Sequence, residues 1–198
     1  MSKLLLASSS AYRSALLKRL QLPFENYSTN IDESLLEGEN GYQVAQRLSL
    51  EKARAVAAKF PDAIIIGSDQ VAELSKELPE GSQHSRILGK PGNHAQALEQ
   101  LTAQSGHKVL FHTGLAVIHQ GVEKSLVNTT EVDFRELTTD QIEDYLRIEK
   151  PYDCAGSFKA ESLGISLFHA VNSNDPTSLI GLPLIELCNL LREFGVKI

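Results

Sequence analysis

Lys3-Leu4-Leu5-Leu6-Ala7-Ser8-Ser9-Ser10-Ala11-Tyr12-Arg13 is a short apolar run that stops at three serines, and a leucine-patterned segment, Ala15-Leu16-Leu17-Lys18-Arg19-Leu20, follows at once. This reads as a strand over 4–7, a tight polar turn and a helix over 10–20. Ser10, or a neighbouring serine, caps that helix by accepting a hydrogen bond from a free backbone N–H. Arg13 then falls in the first turn, where the helix dipole is positive and a cation is out of place. Free N–H groups, serine hydroxyls and an arginine at one helix start make a seat for an anion such as phosphate. An ordinary capped helix with a solvated arginine fits the same residues, so the rest of the chain has to decide.

The chain has 198 residues, enough for one domain with a sizeable core. Its composition, 42% hydrophobic and 22% charged, is that of a soluble globular protein. No apolar run is long enough to span a membrane, and the N-terminus does not read as a signal peptide. Cys154 and Cys188 are far apart and belong to no metal-type or redox-type spacing. They fit buried thiols in a reducing cytoplasm. A formal net charge of −6 argues against a nucleic-acid polymer as partner. A small anionic substrate then requires a local positive site.

Further along, residues 24–28 read as a second strand and 30–41 as an acidic loop carrying Asp32, Glu33, Glu37 and Glu39. A long helix is expected over 42–60, with Val44, Leu48, Val56 and Phe60 near helical spacing. Ala63-Ile64-Ile65-Ile66 has no polar face and reads as a strand covered on both sides, ending at Gly67-Ser68-Asp69. Residues 75–88 are polar, hold Pro79 and Gly81, and show no periodicity, which reads as an insertion or flexible loop. A short helix is expected over 94–102. Residues 107–119 alternate, with Val109, Phe111, Thr113, Leu115 and Val117 on one face of a long strand. Gln120-Gly121 turns this strand into a partner that reaches Phe134. Helices over 138–148, entered at a Thr138 cap, and 184–194 complete the chain. Mixed strands and helices with at least one antiparallel pair define an α/β or α+β chain with a mixed sheet.

Several short motifs carry chemistry. The run Ile64-Ile65-Ile66-Gly67-Ser68-Asp69-Gln70-Val71 delivers a carboxylate at the end of a buried strand, a common way to place a base or metal ligand. At the edge of so apolar a strand Asp69 needs a partner, although an Asp closing a turn also fits. Leu88-Gly89-Lys90-Pro91 holds a lysine in a defined turn, as a phosphate contact or a plain surface turn. Asp32-Glu33 and Glu51-Lys52 read as a solvated loop and an exposed ion pair, or as a metal-holding carboxylate and a phosphate-contacting lysine. Asp153-Cys154-Ala155-Gly156-Ser157-Phe158-Lys159-Ala160-Glu161 lines a base pocket or forms a turn rich in small residues. The six histidines show no metal-ligand spacing.

Together and in order, these pieces resemble the Maf family of nucleotide pyrophosphatases. The matching stretches are Leu6–Arg13, Asp32-Glu33, Glu51-Lys52-Ala53, Ile65–Asp69, Gly89-Lys90-Pro91, Thr113-Gly114, Ala155-Gly156-Ser157 and Ile180-Gly181-Leu182-Pro183. None is specific alone; their shared order along nearly the whole chain is. The resemblance implies an α/β, Maf/inosine-triphosphatase-like fold in one domain, with a mixed twisted sheet flanked by helices and a cleft between two lobes. It also implies a homodimer and hydrolysis of a nucleoside triphosphate with a divalent metal, Mg²⁺ or Mn²⁺. Carried over to this chain, Ser8, Ser10, Arg13, Lys52 and Lys90 hold phosphate. Glu33 and Asp69 stand near metal and water, and Asp69 matches the family's proton acceptor.

Three departures from the family pattern bear on the base. Tyr12 stands where a second arginine is usual, Gln70 where threonine is usual, and Glu161-Ser162 where Gln-Gly is usual. They resemble the branch of the family that acts on 7-methyl-GTP. The physics agrees: a 7-methylguanine base is cationic, Tyr12 stacks on it by a cation–π contact, and Glu161 offsets its charge. A dTTP or UTP pyrophosphatase of the same family, and a nucleotide-binding regulator of cell division with little catalysis, are the alternative readings.

Overall fold

The computed structural model describes residues 2–77 and 83–198. Among them, strands β1 (Leu4–Leu6), β2 (Glu25–Asn26), β3 (Ile64–Glu77), β4 (Gln83–Leu88), β5 (Lys108–His119), β6 (Val122–Phe134) and β7 (Phe168–Asn172) build one mixed sheet. Helices α1 (Ala11–Lys18), α2 (Gly41–Ala57), α3 (His94–Gln104), α4 (Thr139–Glu149) and α5 (Leu184–Glu193) flank it. The order across the sheet is β2-β1-β3-β5-β6-β7, with β4 paired to β3 off this path. β1 is parallel to β2 and β3, and the remaining pairs are antiparallel. No helix among the described residues is long and apolar enough to cross a membrane.

Two expectations are corrected in β3. The strand expected to end at Gly67-Ser68-Asp69 continues to Glu77, so Asp69 sits within the strand rather than at its end. The reason is tertiary: β5 pairs along one side from Ile65 opposite Ile118 to Leu74 opposite Val109. The segment 75–88, expected as an insertion or loop, supplies strand at 75–77 and 83–88, with Glu77 opposite Gln83; its centre, 78–82, lies outside the described residues. On the other side of β3, β1 pairs with 64–66 and β4 with 72–77. Neither pairs with Gly67–Val71, and the edge opens there.

The side-chain pattern of β3 explains a cleft between two lobes. One face carries Ile64 and Ile66, then Ser68 and Gln70, then Ala72 and Leu74. The first pair joins a core with Leu16, Leu17, Leu115, Leu187 and Leu191 under α1 and α5. The last pair joins a second core with Leu101, Phe111, Phe134, Leu146 and Phe158 under α3 and α4. β5 repeats the pattern, with Leu115 and Val117 in one core, Val109 and Phe111 in the other, and Thr113 between them opposite Gln70. A continuous strand pair thus crosses both lobes, and its polar middle separates them.

The opposite face of β3 and β5 lies under α2. Asn40 and Gln43 cap that helix reciprocally, and Val44, Leu48, Lys52 and Val56 follow at four-residue intervals on its buried side. The helix backbone lies almost on the sheet. A Cβ on Gly114 would stand 2.1 Å from the Ala45 carbonyl oxygen, and one on Gly67 would stand 2.2 Å from that of Ser49. Gly114→Ala should therefore push α2 away and cost about 1–3 kcal/mol, the usual penalty for overpacking a core. Chemical denaturation of the purified variant measures it, and an unshifted midpoint contradicts the close approach.

Candidate active site

A cleft of about 590 Å³ opens at the unpaired edge of β3, a size suited to a small ligand. Its walls come from the β1–α1 turn, the loop before α2, β3 itself, the segment after β4, and the stretches around 153–161 and 179–181. A break in strand pairing lets groups from both faces of β3 reach one space, much as ligands gather at switch points of open sheets.

The β1–α1 turn is the capped turn expected from the serine run. Ser10 is the N-cap and accepts from the Arg13 N–H at 3.4 Å, while Ser8 accepts from the Ser10 N–H at 3.1 Å. Accepting these bonds leaves both hydroxyl protons free to donate. Ala11 and Tyr12, in the first turn, have N–H groups with no intrahelical acceptor. Arg13 is half-buried, and its Nε donates to the Gly181 carbonyl at 2.9 Å. Burial lowers its pKa from the ordinary arginine value, against the opposing pull of Asp69 and Glu33. The same carbonyl accepts from the Ser68 hydroxyl at 3.0 Å. Gly181 therefore ties β3 and α1 to the entry of α5, and its φ of 120° is one that side-chain-bearing residues rarely adopt.

On the α2 face, Asp69 faces Lys52. The ammonium lies 2.5 Å from Asp69 Oδ1 and 2.8 Å from Glu33 Oε1. Lys52 and Asp69 are buried, whereas the Glu33 side chain is 53% exposed. Burial alone would raise the Glu33 carboxyl. The Lys52 hydrogen bond and charge, helped by Lys90 and Arg13, outweigh it and hold the group below the usual carboxylate range. Whatever stability this contact contributes is present above the free carboxyl pKa and is lost as pH falls through the depressed one. Lys52 thus contacts two carboxylates at once. Lys90 is exposed on the cleft wall, and Gln100 Nε2 donates to the neighbouring Gly89 carbonyl at 3.2 Å.

Gln70 lies on the other face of the strand. Its Nε2 is within 3.2 Å of Thr113 Oγ1, 3.0 Å of the Ser178 carbonyl and 2.9 Å of the Leu179 carbonyl. The amide nitrogen is therefore engaged in holding the 178–181 turn against the sheet. The buried Asp175 braces the far end of that turn by accepting from the Thr177 and Ile185 N–H groups.

Tyr12 and Glu161 both line the cleft, together with Asp153 and Cys154. Cys154 Sγ is 3.8 Å from Tyr12 Oη and 3.5 Å from Asp153 Oδ1. Burial, reinforced by Cys154, Asp153 and Glu161, pushes the Tyr12 phenol above its usual range. Burial likewise pushes the Cys154 thiol up to about 12. Both stay protonated near neutral pH, so this corner is a neutral aromatic ring bordered by the exposed carboxylates of Asp153 and Glu161. The 153–161 stretch, a base-pocket candidate in the sequence, thus lines the cleft, with Cys154 beside Tyr12. Nothing in the sequence points to Asp175 or to the anchoring part of Thr113; a lone Asp between Asn174 and Pro176 gives no signal of burial.

All the expected site residues line one cleft: Ser8, Ser10, Tyr12, Arg13, Glu33, Lys52, Asp69, Gln70, Lys90 and Glu161. The arrangement defines a class of protein, an α/β fold with hydroxyls, free helix N–H groups and cations on one wall of its cleft and a buried, lysine-held carboxylate beside them. Comparison with known proteins narrows the class. The family model described as Maf-like protein matches residues 3–194, and the chain belongs to the Maf family. A protein of Xanthomonas axonopodis pv. citri (strain 306) named 7-methyl-GTP pyrophosphatase is 50% identical over 198 residues, covering 100% of both chains. A relative of the same name from Xanthomonas oryzae pv. oryzae (strain MAFF 311018) is 52% identical over 195 residues, covering 98% of each chain. Among solved structures, a HAM1 protein from Coxiella burnetii aligns with a TM-score of 0.52 at 16% identity, covering 98% of this chain and 100% of that one. That likeness concerns the fold alone.

Proposed function

We propose that this protein hydrolyses 7-methyl-GTP to 7-methyl-GMP and pyrophosphate. The observation that carries the reading is the polarity of the cleft: hydroxyls and cations at Ser8, Ser10, Arg13 and Lys90 gather near Asp69, while Tyr12 is bordered by Asp153 and Glu161. A nucleotide with an anionic triphosphate and a cationic base matches both ends. The names of relatives at about half identity support the same substrate.

In this reading Asp69 takes the proton of a water molecule as that water attacks the α-phosphorus. The bond from that phosphorus to the α–β bridging oxygen breaks, and pyrophosphate leaves. Such a base must lie within hydrogen-bond reach of the water, and Lys52 fixes the carboxylate by gripping Oδ1. Arg13 and Lys90 stabilise charge on the phosphates and the departing pyrophosphate. Gln70 helps shape the base end by holding the 178–181 turn.

A divalent cation fits this donor set. Glu33 and Asp69 are the two carboxylates that the Lys52 ammonium brings together, and both line the cleft. Among the described residues no group of three or more His, Cys, Asp or Glu side chains could hold a metal. Two carboxylates suit Mg²⁺ or Mn²⁺ in sites where substrate phosphates and water complete the ligands. When bound, the metal neutralises phosphate charge and acidifies water. The reading includes a homodimer, as the family resemblance implies, and a cytoplasmic location, which the free thiols of Cys154 and Cys188 support.

A nucleotide panel assayed for pyrophosphate and orthophosphate, with Mg²⁺ or with a chelator, tests the reaction class. Metal-dependent release of pyrophosphate is expected. Orthophosphate as the first product, or full activity in chelator, overturns the mechanism.

A further inference from the structure

We infer that Arg47 is a positioning residue for Glu33, acting through an ion-pair latch to Glu39. The inference rests on the reading of Glu33 as a carboxylate that helps hold the metal. Glu33 lies in an irregular segment that begins after Tyr27, whose N–H donates to the Leu6 carbonyl at 2.8 Å. The segment ends at Gly41, whose N–H donates to the buried Glu73 carboxylate at 2.8 Å. Between those anchors Ile31 packs against the Val44–Leu48 side of α2.

The main polar hold on the remainder is Arg47. Its Nε and one terminal nitrogen grip the two Glu39 oxygens at 2.6 and 2.7 Å. The same terminal nitrogen donates to the Ser34 carbonyl at 3.0 Å, one residue beyond Glu33. The other terminal nitrogen reaches Glu51 at 3.4 Å. Glu39 in turn accepts from the Leu36 N–H at 3.0 Å, and Asp32 accepts from the Ser34 N–H at 2.9 Å. Residues 32–39 are thereby folded into a compact turn clasped by one guanidinium.

The geometry is hard to replace. The Arg47 and Glu39 side chains are only 18% and 14% exposed, although the surrounding loop is largely solvent-facing. A bidentate fork plus a third bond to a main-chain carbonyl needs a planar guanidinium, which lysine does not offer. Arg47 lies five residues before Lys52 on α2, so one helix carries both the clasp and the ammonium that Glu33 meets. Loosening the clasp leaves Glu33 covalently intact but frees its backbone.

The test compares Arg47→Ala, Arg47→Lys and Glu39→Gln in wild-type and Glu33→Gln backgrounds. Hydrogen exchange of the metal-free protein should speed up over residues 32–39 in all three variants, with the sheet still protected. The Mg²⁺ concentration for half-maximal pyrophosphate release should rise about 10- to 100-fold in Arg47→Ala, the usual cost of losing a partner that orients a ligand. Arg47→Lys should restore little of it. Once Glu33 is Gln, Arg47→Ala should add nothing further. Unchanged exchange in 32–39, or an equal Mg²⁺ shift in both backgrounds, overturns the inference alone. An unchanged Mg²⁺ response in Glu33→Gln itself overturns the metal assignment of Glu33, and the inference with it.

Discussion

Asp69→Asn should lower turnover about 10²- to 10⁴-fold, the range that a positioned general base contributes, while leaving the protein folded. Asn keeps the shape of the carboxylate, and its Oδ1 still accepts from Lys52, so the buried contact at 2.5 Å is weakened rather than vacated. Lys52 also keeps Glu33 at 2.8 Å. What Asn cannot do is take the proton of the attacking water. Asp69→Ala is the harsher change, because it removes one of the two anions facing a buried ammonium, and burying charge without its partner is costly. A thermal melt beside the pyrophosphate assay separates the effects. Asn with a near-native melt and lost turnover is expected; Asn with native turnover removes Asp69 from the chemistry.

The second large effect concerns the base. Tyr12→Arg combined with Glu161→Gln should erase most of the preference for a methylated, cationic guanine. A cation–π contact in a solvent-open cleft and a hydrogen bond to a charged group are together worth about 2–4 kcal/mol, or roughly 30- to 1,000-fold in selectivity. Tyr12 is suited to the first contact because its phenol, protonated at neutral pH and pushed further up by burial, leaves the ring neutral. Arginine in its place would repel the cationic base. The loss should fall on kcat/KM for 7-methyl-GTP, with GTP little affected, because the phosphate-binding groups are untouched. Equal losses for both nucleotides would mean that the corner serves the fold and not the choice of base.

Much of this site was legible in the chain because its pieces are local. The serine turn announces its own cap, and Ser10 does hold the Arg13 N–H. The alternation of Val109 to Val117 reads directly as one face of β5. Lys52 carried a subtler signal: it stands four residues after Leu48 and four before Val56, on the buried side of an amphipathic helix. A lysine there demands a buried anion, and Asp69, at the core edge, demanded a cation. The expectation for Lys52 is nonetheless a phosphate contact or an exposed ion pair with Glu51, since nothing in the spacing joins it to Asp69.

Tertiary pairing was what stayed hidden. Nothing local in Ser68-Asp69-Gln70 tells that the strand continues, since two polar residues on one face look like its end. They are instead the gap between two cores, held in strand by β5. The sequence of 75–88 has no regular apolar face, so the main-chain pairing of 83–88 to 72–77 left no periodic trace. The anchoring of Gln70 to the 178–181 turn joins residues more than a hundred positions apart. Such contacts leave no mark on spacing.

The central claim is a pyrophosphatase with a cleft matched to a cationic guanine. The most direct test is kcat/KM of the wild-type protein for 7-methyl-GTP and for GTP under identical Mg²⁺, with both products identified. The account predicts 7-methyl-GMP and pyrophosphate, and a clear preference for the methylated nucleotide. Equal kcat/KM values, or a preference for GTP, would contradict it.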